Sequence, residues 1–452
     1  MTFRSYLPVL SLIAGILVCL LAGLPLAWGI LFSLLVTLVT VNSMGFTYRQ
    51  QWQFGREGVR QTKPVLLILL LVGLLIPLLM MGGTIPAIIY HGLSLMYVNY
   101  LYLLSFILTA AVSWLLGTSV GTLSTVGLSL MGIAQAAQMP LGIMAGALIS
   151  GAMVGERFSP ISSSRLLVLH CIAADEGVNR WARSTGIAAT VLSALFFLAF
   201  DWWQPDTAAS PMIEHYQELL RQHFAVDIWP LLPLLVLIVS FALRVKAIPA
   251  LGLGIITAAV LLVWQHPIAW DRFLNAVLYG YELGSDTPLD TLVHGGGMLA
   301  ILQVLLLISL AGFLNGILNK ANLLIPMVER LIGQTRTSAS LVGKSVALSL
   351  LVVMISCNQT IPILVLGASL KERFSRWPGG NRLLGRTMLD STLVMPVLVP
   401  WNGLAMVMSV TLGVATLEAL PFLIFALVLP LVTVLFSCFT GGYRETIKQE
   451  NV

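Results

Sequence analysis

Four ionisable side chains interrupt otherwise apolar stretches of this 452-residue chain: Glu156, Arg157, Arg165 and Asp390. A charge at the centre of an apolar helix costs about 2.5–3.5 kcal/mol on insertion scales, so such residues mark ion paths, proton relays or structural ion pairs. Glu156 opens the run Glu156-Arg157-Phe158-Ser159-Pro160-Ile161-Ser162-Ser163-Ser164-Arg165, and Asp390-Ser391-Thr392 leads to Pro396 and then Pro400-Trp401-Asn402-Gly403. Proline removes a backbone donor and frees a carbonyl. Freed carbonyls and the hydroxyls of Ser159, Ser162, Ser163, Ser164, Ser391 and Thr392 are hard oxygen ligands suited to a small cation. The start of a half-helix and the Arg165 guanidinium suit an anion. The plainer reading pairs Glu156, Arg157 and Arg165 with one another in a protein-lined groove and makes Asp390 a cap or hydroxyl partner of its helix.

Two further polar knots stand between apolar arms of about fifteen residues, too short to span comfortably. One is Gly117-Thr118-Ser119-Val120-Gly121-Thr122, and the other Cys357-Asn358-Gln359-Thr360. Irregular backbone at membrane depth is tolerated only inside protein or against a wet cavity, so 101–134 and 336–371 read as re-entrant hairpins. Thr118, Ser119, Thr122, Asn358, Gln359, Thr360 and Asn402 become ligand candidates. Gly117, Gly121 and Gly127 serve close helix packing equally well. His170 could relay protons and is as readily a satisfied structural residue. No nucleophile–base pair is apparent, and Cys19, Cys171, Cys357 and Cys438 lack metal-ligand or disulfide spacing. An enzyme, a resident metal and a cofactor are therefore not expected; coupling would come from protons or sodium.

The elements that must hold these residues follow from composition. The chain is 58% apolar and 10% charged, whereas soluble domains are about 45–50% and 25%. Lipid must cover what charge does not. Ten spans are expected, at 6–22, 26–42, 64–82, 140–174, 184–200, 229–245, 247–264, 296–319, 384–415 and 417–438, making an all-α polytopic membrane protein. The first run lacks a small-x-small cleavage site and is followed at once by a second, so it reads as a retained helix. All but four of the 24 lysines and arginines fall in proposed cytoplasmic segments; Arg221 and Arg272 lie outside, and Arg157 and Arg165 within a span. This asymmetry places both termini in the cytoplasm of a bacterial inner-membrane protein and gives the net charge of +5 no nucleic-acid meaning. The linker 201–228 is acidic and external.

On either side of that linker the order of elements repeats: two spans, an amphipathic stretch, a third span, a hairpin, a long broken span and a final span. The odd span count turns the two units, 1–200 and 229–452, upside down relative to each other. Inverted repeats with discontinuous helices are a hallmark of alternating-access carriers, with sites at the repeat interface. A channel or receptor-like protein is a poorer fit to paired broken helices.

At these motifs the chain resembles the NhaC family of sodium/proton antiporters, within the broader ion-transporter superfamily. The likeness is carried by Gly83-Thr84-Ile85-Pro86 through Tyr90-His91-Gly92, GTSVGTLSTVG from Gly117, SGAMVGERFSP from Ser150, the Asn358-Gln359 tip and LDSTLVMPVLVPWN from Leu389. It implies an elevator-type carrier whose mobile body holds both hairpins and both broken spans, a small-ion substrate, a homodimer, and Glu156 and Asp390 as proton or cation carboxylates. The family pattern is close to GD-[KR]-x-SP-[LIV]-SDTTN. Here Ser163 replaces its second acid, Ser164 and Arg165 the threonine pair, and Leu166 the asparagine. A cation site built there has lost a carboxylate and gained a positive charge. The rival reading is a proton- or sodium-coupled carrier of small organic anions or amino acids on the same scaffold, with Arg165 holding a carboxylate.

Overall fold

The fold is given by a computed structural model that describes residues 6–95, 100–172, 177–203, 209–265, 270–284, 289, 296–335, 337–356, 358–377 and 379–440. Among these the regular structure is helical. The first part of the chain forms α1 (Leu7–Ala22), α2 (Leu26–Ser43), α3 (Tyr48–Met81), α4 (Thr84–Leu95), α5 (Leu101–Leu116), α6 (Ser119–Thr122), a π-helical segment (Leu123–Gly127), α7 (Leu128–Ala136), α8 (Leu141–Phe158), α9 (Ser163–Cys171) and α10 (Gly177–Trp203). The rest forms α11 (Ala209–His223), α12 (Leu232–Ala242), α13 (Ala247–Gln265), α14 (Trp270–Tyr279), α15 (Met298–Lys320), α16 (Leu324–Ile332), α17 (Ser338–Ile355), α18 (Thr360–Ser375), α19 (Gly380–Asp390), α20 (Gly403–Leu412), α21 (Thr416–Ala419) and α22 (Ile424–Thr440).

Among the described residues seven helices are long and apolar enough to cross a membrane, or up to nine if each bent pair is one span, and one of the seven is Ser338–Ile355, an arm of the 336–371 hairpin that was expected to be too short. The 6–22 and 229–245 expectations correspond to shorter apolar helices, Leu7–Ala22 and Trp229–Ala242. The expected 384–415 span is a bent pair, Gly380–Leu398 with Gly403–Leu412 at 55°, and the last span also bends, by 47°, between Thr416–Phe422 and Ile424–Cys438. The 64–82 span starts much earlier than expected, at Tyr48. The Thr47 hydroxyl accepts the Gln50 N–H and the Gln50 side chain accepts the Thr47 N–H, and this reciprocal cap nucleates an amphipathic lead-in.

Small residues let the spans approach. A side chain at Gly15 would meet the Gly29 backbone at 2.8 Å, and one at Gly58 the Gly312 carbonyl at 2.2 Å. These contacts seat α1 on α2 and α3 on α15, as glycine-lined membrane helices do. Leu21, Leu35, Val39 and Val260 stay more than half exposed, the inverse of a soluble surface and what hydrocarbon contact requires. The centre is α8, 89% of whose 18-residue window is buried, against 33% for that of α13. Gly151 and Gly155 of α8 lie directly against α5, where a Cβ would meet the Phe106 carbonyl at 2.3 Å and the Trp114 nitrogen at 2.5 Å. The Ser113 hydroxyl donates to the Ala152 carbonyl at 2.6 Å across the same seam.

Candidate functional site

The first constellation joins the break after α8 to the knot after α5. Ser159 leaves the helix with extended ψ of 127°, the conformation forced on a residue preceding proline. The chain resumes as α9, whose first turn is capped by the Ser162 hydroxyl accepting the Arg165 N–H at 3.2 Å. Gly117 ends α5 in the left-handed region at φ +70°, and a Cβ there would lie 2.7 Å from the Ile161 side chain and 3.2 Å from the Ser162 nitrogen. The knot is thus pressed onto the break, and only glycine fits both the backbone and the gap. Thr118 caps α6 by accepting the Gly121 N–H at 3.3 Å, and Thr122 donates back to the Thr118 carbonyl at 2.8 Å. Ser119 then faces Glu156: its hydroxyl donates to the carboxylate, and its N–H lies 3.4 Å from the same oxygen. Glu156 is 5% exposed. The π-helical segment directly beyond is a rare form that is frequent at functional sites.

The second constellation joins the break after α19 to the knot between α17 and α18. Pro396 and Pro400 keep 391–402 from closing into an α-helix, apart from a 3-10 turn at Met395–Leu398. Asn402 caps α20 by accepting the Leu404 N–H at 3.1 Å and donates to the Ser356 carbonyl at 3.0 Å. Trp401 donates to the Met354 carbonyl at 2.6 Å. Ser391 and Thr392 both bond Ser349, at 3.0 and 2.8 Å. Asn358 is occupied locally, its side-chain oxygen accepting the Ile361 N–H at 2.9 Å in the first turn of α18. Gln359 bridges the two constellations: its amide donates to the Leu393 carbonyl at 2.7 Å, and its oxygen accepts from Ser164 at 2.8 Å.

Exposure divides the candidates. Ser163 and Thr360 are exposed, and Thr118, Ser164, Arg165, Asn358 and Gln359 half-buried. Ser119, Thr122, Glu156, Ser159, Ser162, Asp390, Ser391, Thr392 and Asn402 are buried.

Glu156 and Arg165 do not form an ion pair; among the described residues the ion pairs are Arg157–Asp390 and the exposed Arg376–Glu372. The Arg157 Nε donates to Asp390 Oδ1 at 3.0 Å, and Nη2 also reaches that oxygen. Hydroxyls of Thr185 and Thr433 donate to Oδ2 at 2.7 and 2.6 Å, and Arg157 Nη2 donates to the Ala182 carbonyl at 2.6 Å. Asp390 is 0% and Arg157 2% exposed. The partners of Asp390 thus lie on α8, α10 and α22 rather than at either knot. Thr185, Thr433 and Ser437 carry no pairing signal in the sequence, being isolated hydroxyls in apolar runs; Arg386, expected among the basic residues of a cytoplasmic loop, instead lies buried within α19. Arg386 is 1% exposed and donates to Ser437 at 2.5 Å.

A family model described as "Na+/H+ antiporter family" matches residues 177–440, more than half of the chain. The chain belongs to this Na+/H+ antiporter family. Its relatives are antiporters rather than enzymes. The antiporter is 28% identical over 401 residues to an uncharacterised Na(+)/H(+) antiporter of Haemophilus influenzae, covering 85% of this chain and 84% of that one. It is 28% identical over 398 residues to the Na(+)/H(+) antiporter NhaC of Bacillus subtilis, covering 87% and 88%. It is also 24% identical over 437 residues to the Malate-2H(+)/Na(+)-lactate antiporter of Bacillus subtilis, covering 95% and 93%. The NhaC resemblance read from the motifs is therefore met, in a multi-pass helical antiporter whose two broken helices and two polar knots converge.

Proposed function

We propose that this chain exchanges sodium for protons by alternating access, with Glu156 as the carboxylate that takes up and releases the proton. The observation carrying the proposal is the Glu156–Ser119 contact at the junction of break and knot. Glu156 is held there by a hydroxyl and has no ion-pair partner among the described residues. Ionisable side chains placed so inside a membrane segment mark ion paths and proton relays. Asp390, the other acid at a break, already has its charge met by Arg157. Its role in this reading is to hold the transport body together.

Units 1–200 and 229–452, joined by the outer linker 201–228, are read as inverted repeats. Supporting this, each knot seats on its own half's break, and each half also touches the other: Ser164 meets Gln359, and a side chain at Gly127 would meet Leu412 of α20 at 3.2 Å. Hairpins and broken spans then form one body that moves as an elevator in a homodimer, both termini cytoplasmic. In this reading the body crosses carrying either a proton or sodium.

The test is proteoliposome flux. An imposed sodium gradient is expected to drive opposed proton movement in the wild type and almost none in Glu156→Gln at equal incorporation. Malate and lactate gradients, after the Bacillus subtilis malate/lactate antiporter, and arginine and ornithine gradients, after the Arginine/ornithine antiporter ArcD of Halobacterium salinarum, 25% identical over 441 residues, serve as the other arms. Full sodium-driven proton flux in Glu156→Gln would remove the residue from the site.

A further inference from the structure

The two helix breaks are built alike and differ in charge. Ser162 caps α9 and Asn402 caps α20. Three residues beyond these caps stand Arg165 in the first half and Ala405 in the second. A cation in the first turn of a helix is disfavoured by the peptide dipoles, so α9 itself gives no reason for Arg165. Its side chain instead turns back across the break, with Nη1 3.5 Å from the Ser159 carbonyl oxygen at the C-terminal end of α8. Half-helix C-termini and freed carbonyls are where carriers coordinate small cations, and here a side-chain cation stands at that place.

The second break offers the opposite. From Ser391 to Met406 the chain has no lysine or arginine. The Ser356 hydroxyl is fully buried and has no hydrogen-bond partner among the described residues. The Ser356 carbonyl accepts from the Asn402 amide at 3.0 Å, so the two residues are neighbours at the second break. A buried hydroxyl without a partner calls for a ligand. Asn402 Oδ1, which accepts one N–H from Leu404, keeps a second lone pair.

We infer that the Arg165 guanidinium is a tethered cation filling the first break, so that one sodium ion binds per chain, at the second break, with Ser356 and Asn402 among its oxygen ligands. The inference rests on the sodium/proton reading and fixes its sodium count. The half-buried Arg165 guanidinium repels a second cation at the first break, while the second break has no such charge of its own.

Sodium binding and exchange in the purified full-length protein test this. Wild type should bind one sodium per chain, with a Hill coefficient near one for sodium-driven exchange. Ser356→Ala should raise half-saturating sodium by about tenfold, the size of one lost ligand contact. Arg165→Gln should exchange slowly with a Hill coefficient above one, because the first break now needs a cation from solution. Added guanidinium should return both rate and coefficient to wild-type values. Two sodium ions per wild-type chain would overturn the inference. So would an Arg165→Gln variant with unchanged rate and sodium dependence, or a slowing that neither guanidinium nor sodium relieves. Should Arg165→Gln fail to fold, the wild-type count and Ser356→Ala decide alone. Absence of sodium-driven proton flux in wild type defeats the underlying exchange reading, whereas intact exchange with two sodium ions defeats only the role of Arg165.

Discussion

Arg157 and Asp390, 233 positions apart, form a buried ion pair at the junction of both broken helices. The pair also gathers α10 and α22 through Thr185, Ala182 and Thr433. Removing one partner of such a pair leaves a buried charge and costs about 3–5 kcal/mol in soluble proteins, while replacing both is far milder. Asp390→Asn is therefore expected to lower the unfolding temperature in detergent markedly. Arg157→Gln combined with Asp390→Asn should recover most of that loss. A single variant as stable as wild type would show that the ion pair does not hold the body together.

Why the pairing was not legible in the sequence follows from helix geometry. Arg157 neighbours Glu156 and lies eight residues before Arg165, which suggested an ion pair within that run. Consecutive helical residues do not face each other; Glu156 points to Ser119 while Arg157 points to Asp390. The breaks themselves were legible, because Pro160, Pro396 and Pro400 in apolar runs leave few alternatives. Asn358 is a ligand candidate by sequence, and its half-buried side-chain oxygen accepts the Ile361 N–H in the first turn of α18, a local use that asparagines at helix starts commonly find. The early start of α3 was missed because its lead-in is polar, although Thr47 and Gln50 spell the cap.

Gly117 and Gly413 separate backbone strain from contact. Both have positive φ, +70° and +69°, but a Cβ on Gly413 meets nothing within 4 Å, whereas one on Gly117 collides with Ile161. Each alanine substitution should cost roughly 1 kcal/mol of backbone strain. Only Gly117→Ala should also lift the knot from the break, lowering exchange by about tenfold more than Gly413→Ala, on the order of one displaced packing contact. Equal transport rates for the two variants would mean that the seating of the knot on the break is unimportant.

Sidedness follows from the lysine and arginine asymmetry. With cysteines introduced singly at the exposed positions Gln222 and Ser375 in a cysteine-free background, an impermeant thiol reagent outside intact cells should label the first and spare the second until the membrane is opened. Labelling of both from outside would contradict the inverted arrangement of the two units.

Sodium binding must displace a proton from Glu156 if that carboxylate couples the two ions, because linkage between sites is reciprocal. The proton count is measured by titrating sodium into the purified protein in weakly buffered solution near the midpoint of its pH profile. Wild type should release a sizeable fraction of one proton per sodium bound, and Glu156→Gln should bind sodium with almost no release. Sodium binding without proton release in wild type, or undiminished release in Glu156→Gln, would contradict the assignment of Glu156 as the coupling carboxylate.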